Sequence, residues 1–201
     1  MKIEPGSTIV FTGDSITDCG RARPVGEGDG LGDGYVALLA DQLSGRRILN
    51  TGISGNTVRH LAERWESDVL DLEPDWVSIL IGTNDVWRQF DHLDTPVGPV
   101  DYEAIYRGLL TSVRPHLEGL VLMTPFLVEA HLDDPMRMRM DEYRAIVVRL
   151  AGEFGAYLVD TQAVFNGGLQ NRAVADLAPD RVHPTRLGHQ MIGDAFRAAI
   201  S

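Results

Sequence analysis

Lysine is nearly absent from this chain: Lys2 is the only one, and arginine supplies every other fixed positive charge. That excludes a phosphate loop ending in Gly-Lys and a Schiff-base lysine within the folded body. Cysteine is equally scarce. Cys19 stands alone, so neither an intramolecular disulfide nor a cysteine-rich zinc site is possible. No apolar run approaches the roughly 20 residues of a membrane span, and residues 1–7 lack the basic-then-apolar profile of a secretory leader. The expectation is a soluble cytoplasmic protein with no membrane partner. Positive charge is also short. The net charge of -11 argues against nucleic acid, whose phosphates demand a basic face.

What is present fits one domain over residues 1–201, long enough for a sizeable core. Apolar, β-rich runs at 8–12, 47–50, 76–81, 120–124 and 156–160 lack strict alternation, as expected of parallel strands buried on both faces. Helical segments are expected between them, at 34–43, 57–72, 102–117, 136–154 and 187–200. Asp101 is placed to cap the third, and Asp134-Pro135 sets a cap before a proline at the start of the fourth. The fourth carries Met140, Tyr143, Val147, Leu150 and Phe154 on one stripe. Strand–helix alternation of this kind predicts a three-layer α/β/α fold around a central five-stranded parallel sheet. Five strands favour the flavodoxin-like order 2-1-3-4-5, with ligands beyond the carboxyl ends of the strands. The Gly/Asp-rich stretch 26–34 is expected to be a flexible loop.

Chemistry collects after the strands. Gly13-Asp14-Ser15 follows the first, Asn50-Thr51-Gly52 the second and Gly82-Thr83-Asn84-Asp85 the third; Asp180-Arg181-Val182-His183-Pro184 precedes the last helix. A serine hydroxyl needs a base, and His183 is the candidate because Asp180, three residues earlier, can accept its Nδ1 proton. An oxyanion needs donors; Ser15 N–H, Gly52 N–H and the Asn84 amide are the natural trio, with glycine at 52 allowing close backbone approach to substrate. Each segment alone reads as a capped turn or a local hydrogen bond. In this order, each at the end of a strand or the start of a helix, they read together as the parts of a serine hydrolase.

These four segments resemble the sequence blocks of the SGNH, or GDSL-type, hydrolases. Ser15, Gly52, Asn84 and His183 match the four named residues, and Asp180 matches the acidic triad member. The resemblance runs from Gly13 to Pro184 and implies the same α/β fold. Ile16 replaces a common leucine in the first block, and Thr17 rules out the Gly-x-Ser-x-Gly elbow of the α/β-hydrolases. A narrower similarity, over 13–24, 52–59, 74–88 and Met123-Thr124-Pro125-Phe126, is to bacterial acetyl esterases acting on xylan or xylo-oligosaccharides. Those relatives tend to carry tryptophan where this chain has Pro179.

The resemblance implies two-step acyl transfer without metal or organic cofactor: attack by Ser15, proton transfer to His183, then hydrolysis of an acyl-enzyme. A short acyl group, acetyl on a carbohydrate, is the expected substrate. A lysophospholipase- or thioesterase-like lipid hydrolase is the alternative within enzymes, and a silent carbohydrate-binding protein the alternative outside them. Trp87, Arg88 and Phe126 follow strands three and four and are the candidates for the substrate pocket. Other features point away from ligands. The 26–34 loop partly matches an EF-hand, but Ala40 stands where the bidentate glutamate belongs, and its glycines miss the dinucleotide pattern. Cys19 is read as a packing residue. His60, His92, His116, His131 and His189 lack paired metal-ligand spacing. Met138, which cannot share the buried face with Met136 and Met140, points to a homo-oligomer contact or to a mobile exposed side chain.

Overall fold

All five expected strands form, with every boundary within one residue of its expected place. The computed structural model describes residues 2–91 and 96–201; His92 lies outside the described residues. The strands are β1 (Thr8–Gly13), β3 (Arg47–Asn50), β4 (Trp76–Leu80), β5 (Gly119–Met123) and β6 (Tyr157–Val159), and their pairings are all parallel. A two-residue strand, β2 (Gly26–Glu27), adds to β3 in antiparallel sense, giving the order β2-β3-β1-β4-β5-β6. The five parallel strands therefore keep the flavodoxin-like order, and the correction is the sixth. It comes from the stretch expected to be a flexible loop. Glu27 is tied to Arg47 by a forked ion pair (2.8 and 3.2 Å), and Leu31 is buried. Backbone pairing and one buried leucine order this loop and cover the sheet edge.

The helices are α1 (Ser15–Asp18), α2 (Tyr35–Ala40), α3 (Val58–Glu63), α4 (Trp65–Asp68), α5 (Thr83–Asp91), α6 (Pro99–Val113), α7 (Pro135–Phe154), α8 (Thr161–Gly168), α9 (Val174–Leu177) and α10 (Arg186–Ala199). Alternate strand residues feed two separate cores. Val10, Val77, Ile79, Leu120 and Leu122 pack with α3, α4, α6 and α7 on one face. Ile9, Phe11, Val121, Met123 and Val159 pack with α2, α8 and α10 on the other. Burying a leucine- or phenylalanine-sized side chain stabilises by about 1.5–3 kcal/mol, so both faces contribute. None of the described helices is long and apolar enough to cross a membrane.

Three local expectations change. The single helix expected over 57–72 breaks at Arg64 (φ -113, ψ 9) into α3 and α4. The break lets the Arg64 guanidinium reach Gly13 O (2.9 Å), Thr51 O (2.7 Å), Asn56 Oδ1 (2.7 Å) and Asp68 (2.7 Å). Asp101 does not cap α6. That helix starts at Pro99 with Gly98 as the cap, because proline lacks the N–H that a first helical residue leaves unpaired, and Asp101 sits inside the first turn. α5, α8 and α9 were not anticipated; α8 is capped by Asp160, which accepts from Ala163 N–H at 3.1 Å. By contrast Asp134 caps α7 as expected, accepting from Arg137 N–H at 2.9 Å ahead of Pro135. Met136 and Met140 are buried on α7 while Met138 is 56% exposed.

Candidate active site

A parallel sheet delivers the ends of β1, β3 and β4 to one edge, and the polar segments gather there. Asp14 caps α1 by accepting from Ile16 N–H (3.0 Å), which sets Ser15 at the first position of that helix. The loop before α10 brings His183 across: Ser15 Oγ lies 3.0 Å from His183 Nε2. His183 Nδ1 lies 2.6 Å from Asp180 Oδ2. The other Asp180 oxygen accepts two backbone bonds, from Val182 N–H (3.0 Å) and His183 N–H (2.7 Å). Burial pushes the Asp180 carboxyl upward, but the His183 ring and these two N–H groups outweigh it and hold it below the ordinary carboxylate range. An ionised Asp180 keeps the Nδ1 proton in place and leaves Nε2 free to accept from Ser15.

Asn84, at the start of α5, donates from Nδ2 to Asn56 O (3.1 Å), which orients the remaining N–H of the amide. Gly52 behaves differently from its expectation. Its N–H is spent on Asn50 Oδ1 (2.9 Å), and its carbonyl accepts from the buried Arg21 (2.8 Å). A Cβ at 52 would lie 2.5 Å from Asp18 N and 2.8 Å from Thr17 C. The glycine therefore serves close approach to the helix that carries Ser15 rather than to substrate, and its N–H is not free to act as an oxyanion donor. Asn50 completes this junction by donating to Thr17 O (2.7 Å) and Leu31 O (2.9 Å).

The pocket residues divide. Trp87 leans over the imidazole, with ring centroids 6.0 Å apart. With Asn84, Arg88 and Asp91 it lines a shallow groove of about 260 Å³. Arg88 donates to Gly55 O at 2.6 Å. Phe126 is a correction: it is fully buried and stacked on Phe165 (4.4 Å), so it belongs to the core and not to the groove. Its segment runs inward beneath the strand edge, where an apolar ring is paired with another ring.

Two buried carboxylates support the site from beneath. Asp14 is pushed up to about 7 by burial, against the opposing bond from Ile16 N–H. Asp85 is likewise pushed up to about 7 by burial, although both its oxygens accept from Val58 N–H (3.1 Å each), which caps α3. Sequence reasoning gives no role to Asp85, Asn50 or Arg64; Asp85 and Asn50 lie within the polar segments at the carboxyl ends of β4 and β3, which is the signal that was there to use. Cys19 behaves as packing: its thiol points at Ser15 O (3.6 Å) and Ile16 O (3.5 Å), and burial pushes it up to about 11. His189 faces Cys19 (3.3 Å) and accepts from Tyr35 N–H (3.2 Å), away from Ser15. His60 caps α3 through Thr57. Among the described residues no group of three or more His, Cys, Asp or Glu is arranged to hold a metal ion.

This geometry coincides with a family match: residues 11–191 fit the model of the GDSL-like Lipase/Acylhydrolase family. The chain belongs to that family. It is 50% identical to an acetylxylan esterase of Geobacillus stearothermophilus over 207 aligned residues, covering 98% of this chain and 94% of that one. The crystal structure of Axe2, an acetylxylan esterase from Geobacillus stearothermophilus, superposes with a TM-score of 0.97 at 49% identity, covering 100% and 97% of the two chains. A mutant of that protein, described as an acetyl-xylooligosaccharide esterase, matches at 48% identity with the same coverage and TM-score. The present chain is thus a carboxylic ester hydrolase with the SGNH fold.

Proposed function

We propose that the enzyme removes acetyl groups from xylo-oligosaccharides by a two-step serine mechanism. The observation that carries this is the relay from Ser15 Oγ to His183 Nε2 (3.0 Å) and from His183 Nδ1 to Asp180 Oδ2 (2.6 Å), in a chain half identical to an acetylxylan esterase. Ser15 attacks the acetyl carbonyl while His183 takes its proton, and Asp180 steadies the imidazolium. The ester C–O bond then breaks, and His183 gives the proton to the departing sugar oxygen, which leaves as a hydroxyl. Water repeats the attack on the acetyl-serine and releases acetate.

Three donors receive the oxyanion: Ser15 N–H, the free N–H of the Asn84 amide, and Gly55 N–H in place of Gly52 N–H. Gly55 is the left-handed residue (φ +79) of the turn closed by Asn56 N–H on Ile53 O. Its N–H has no partner among the described residues, while Arg88 and Asn84 pin the carbonyls of Gly55 and Asn56. Preorganised donors of this kind are each worth about 100- to 1,000-fold in turnover. The groove beside the relay supports a sugar: Trp87 offers a ring face, and Asn84, Arg88 and Asp91 surround it with hydrogen-bonding groups.

The test is Ser15→Ala alongside a substrate series. The variant is expected to fold normally and lose about 10⁶-fold in kcat, the order seen when such nucleophiles are removed. Acetylated xylo-oligosaccharides and aryl acetates are expected to outrun octanoate esters. Full activity in Ser15→Ala would refute the mechanism, and a preference for octanoate would favour a lipid acylhydrolase.

A further inference from the structure

Asp180 and His183 are both about half exposed (48% and 49% of the side chain), so packing covers only part of each. What bends the loop is Arg181, one of three non-glycine residues with positive φ among those described, at φ 70. A left-handed residue there turns the chain back so that Val182 N–H and His183 N–H converge on Asp180 Oδ1. That leaves Oδ2 for the imidazole. An L side chain resists this conformation unless its surroundings enforce it.

The enforcement is visible. Arg181 O accepts from Val128 N–H (2.8 Å), and Arg181 N–H donates to Ala178 O (2.9 Å). The side chain reaches out of the loop: Nη1 donates to Glu129 Oε2 (2.8 Å) and to Asp134 Oδ2 (3.1 Å). Both carboxylates are already fixed through their other oxygens, Glu129 by His131 N–H (2.9 Å) and Asp134 by Arg137 N–H at the start of α7 (2.9 Å). The buried Arg137 also holds Glu129 O at 3.0 Å. The bracket therefore anchors the loop to the first turn of the longest helix in the fold.

We infer that Arg181 is a positioning residue, whose ionic bracket to Glu129 and Asp134 holds the left-handed turn that aims Asp180 and His183 at Ser15. The inference rests on the Ser15–His183–Asp180 mechanism proposed above. Arg181 touches no reacting atom; it acts through Asp180, next to it in the chain, and His183, two residues on.

The test compares Arg181→Ala, Arg181→Lys and Glu129→Gln, reading kcat and KM on an aryl acetate, the labelling rate of Ser15 by a fluorophosphonate, and urea unfolding. Arg181→Ala is expected to lose about 10- to 100-fold in kcat, the scale of a displaced catalytic group. KM should stay within about twofold, because bound-state contacts are untouched. Labelling should slow in step with kcat, since it reads activation of Ser15 without sugar binding. Arg181→Lys is expected to recover most of the loss, because one nitrogen makes both carboxylate contacts. Glu129→Gln leaves Arg181 in place and is expected to lower kcat severalfold, so the inference stays testable if Arg181→Ala fails to fold. Wild-type kcat and labelling in a folded Arg181→Ala or in Glu129→Gln, or a loss confined to KM, would overturn it. Ser15→Ala, run in parallel, separates this outcome: if that variant keeps activity and labelling, the triad mechanism itself has failed.

Discussion

Asp180→Asn is a sharp probe of the relay, because the structure dictates which way the new amide must point. Oδ1 of Asp180 accepts from two backbone N–H groups, at 3.0 and 2.7 Å. Only the carbonyl end of an asparagine can replace it there, which turns the NH₂ group toward His183 Nδ1, at the 2.6 Å position now held by a carboxylate oxygen. The imidazole must then accept at Nδ1 and carry its proton on Nε2, facing Ser15 Oγ. A ring in that tautomer cannot take the serine proton. The expected loss is about 10⁴-fold in kcat, or about 5 kcal/mol of transition-state stabilisation. Stability should change little, since both backbone bonds survive. Asp180→Ala, in contrast, leaves both N–H groups to water at this half-exposed turn and is expected to cost about 1 kcal/mol in urea unfolding. Steady-state hydrolysis of an aryl acetate, with urea melts of each variant, reads both effects. An Asp180→Asn enzyme within about tenfold of wild-type kcat would refute the reasoning, because the tautomer would not have been controlled by Asp180.

Two further outcomes follow from the groups around the relay. Burial, with the nearby charge of His183 adding to it, pushes His189 from 6.5 down to about 4, so between those values the unfolded chain binds more protons than the folded one. Its contribution to stability is therefore lost as pH falls through that window, by up to about 3 kcal/mol. Asp14 and Asp85, raised by burial to about 7, act in the opposite direction over an overlapping range, so the total profile is mixed. The difference between wild type and His189→Asn, whose Oδ1 can still accept from Tyr35 N–H, isolates the histidine; a difference flat in pH would count against it. Gly52→Ala would drive a methyl to 2.5 Å from Asp18 N and is expected to cost about 1–3 kcal/mol of stability and to displace Ser15. Gly55→Ala meets only the end of Arg88, at 3.6 Å, though at a left-handed φ of +79. If Gly52→Ala melts with the wild type, the close approach assigned to it is wrong.

Much of the site was legible because a parallel sheet converts sequence order into spatial order. A motif at the carboxyl end of a buried strand must surface at one edge, which brought Ser15, the 51–57 loop and Asn84 together. The strand runs themselves were readable because residues buried on both faces leave a continuous apolar signal. Helix breaks and extra helices were less legible, since the chain at Arg64 yields to long-range hydrogen bonds that no window of local sequence contains. Phe126 shows the same limit: following a strand places a residue near the site, but only packing against Phe165 turns its ring inward.

Residue types and their order alone determined the α/β class, the serine chemistry and the identity of Ser15, His183 and Asp180 as its candidates; they favoured the order of the parallel strands, which the pairings of the folded sheet decided. Tertiary structure decided which glycine N–H stays free, because that depends on Asn50, whose side chain folds back onto Gly52. It also decided what holds the exposed Asp180–His183 pair, because the left-handed turn at Arg181 is braced by carboxylates 52 and 47 residues away in sequence and by the backbone of Val128. Local sequence fixes what a residue can do, whereas hydrogen-bond partners distant along the chain fix which of its groups are left to do it.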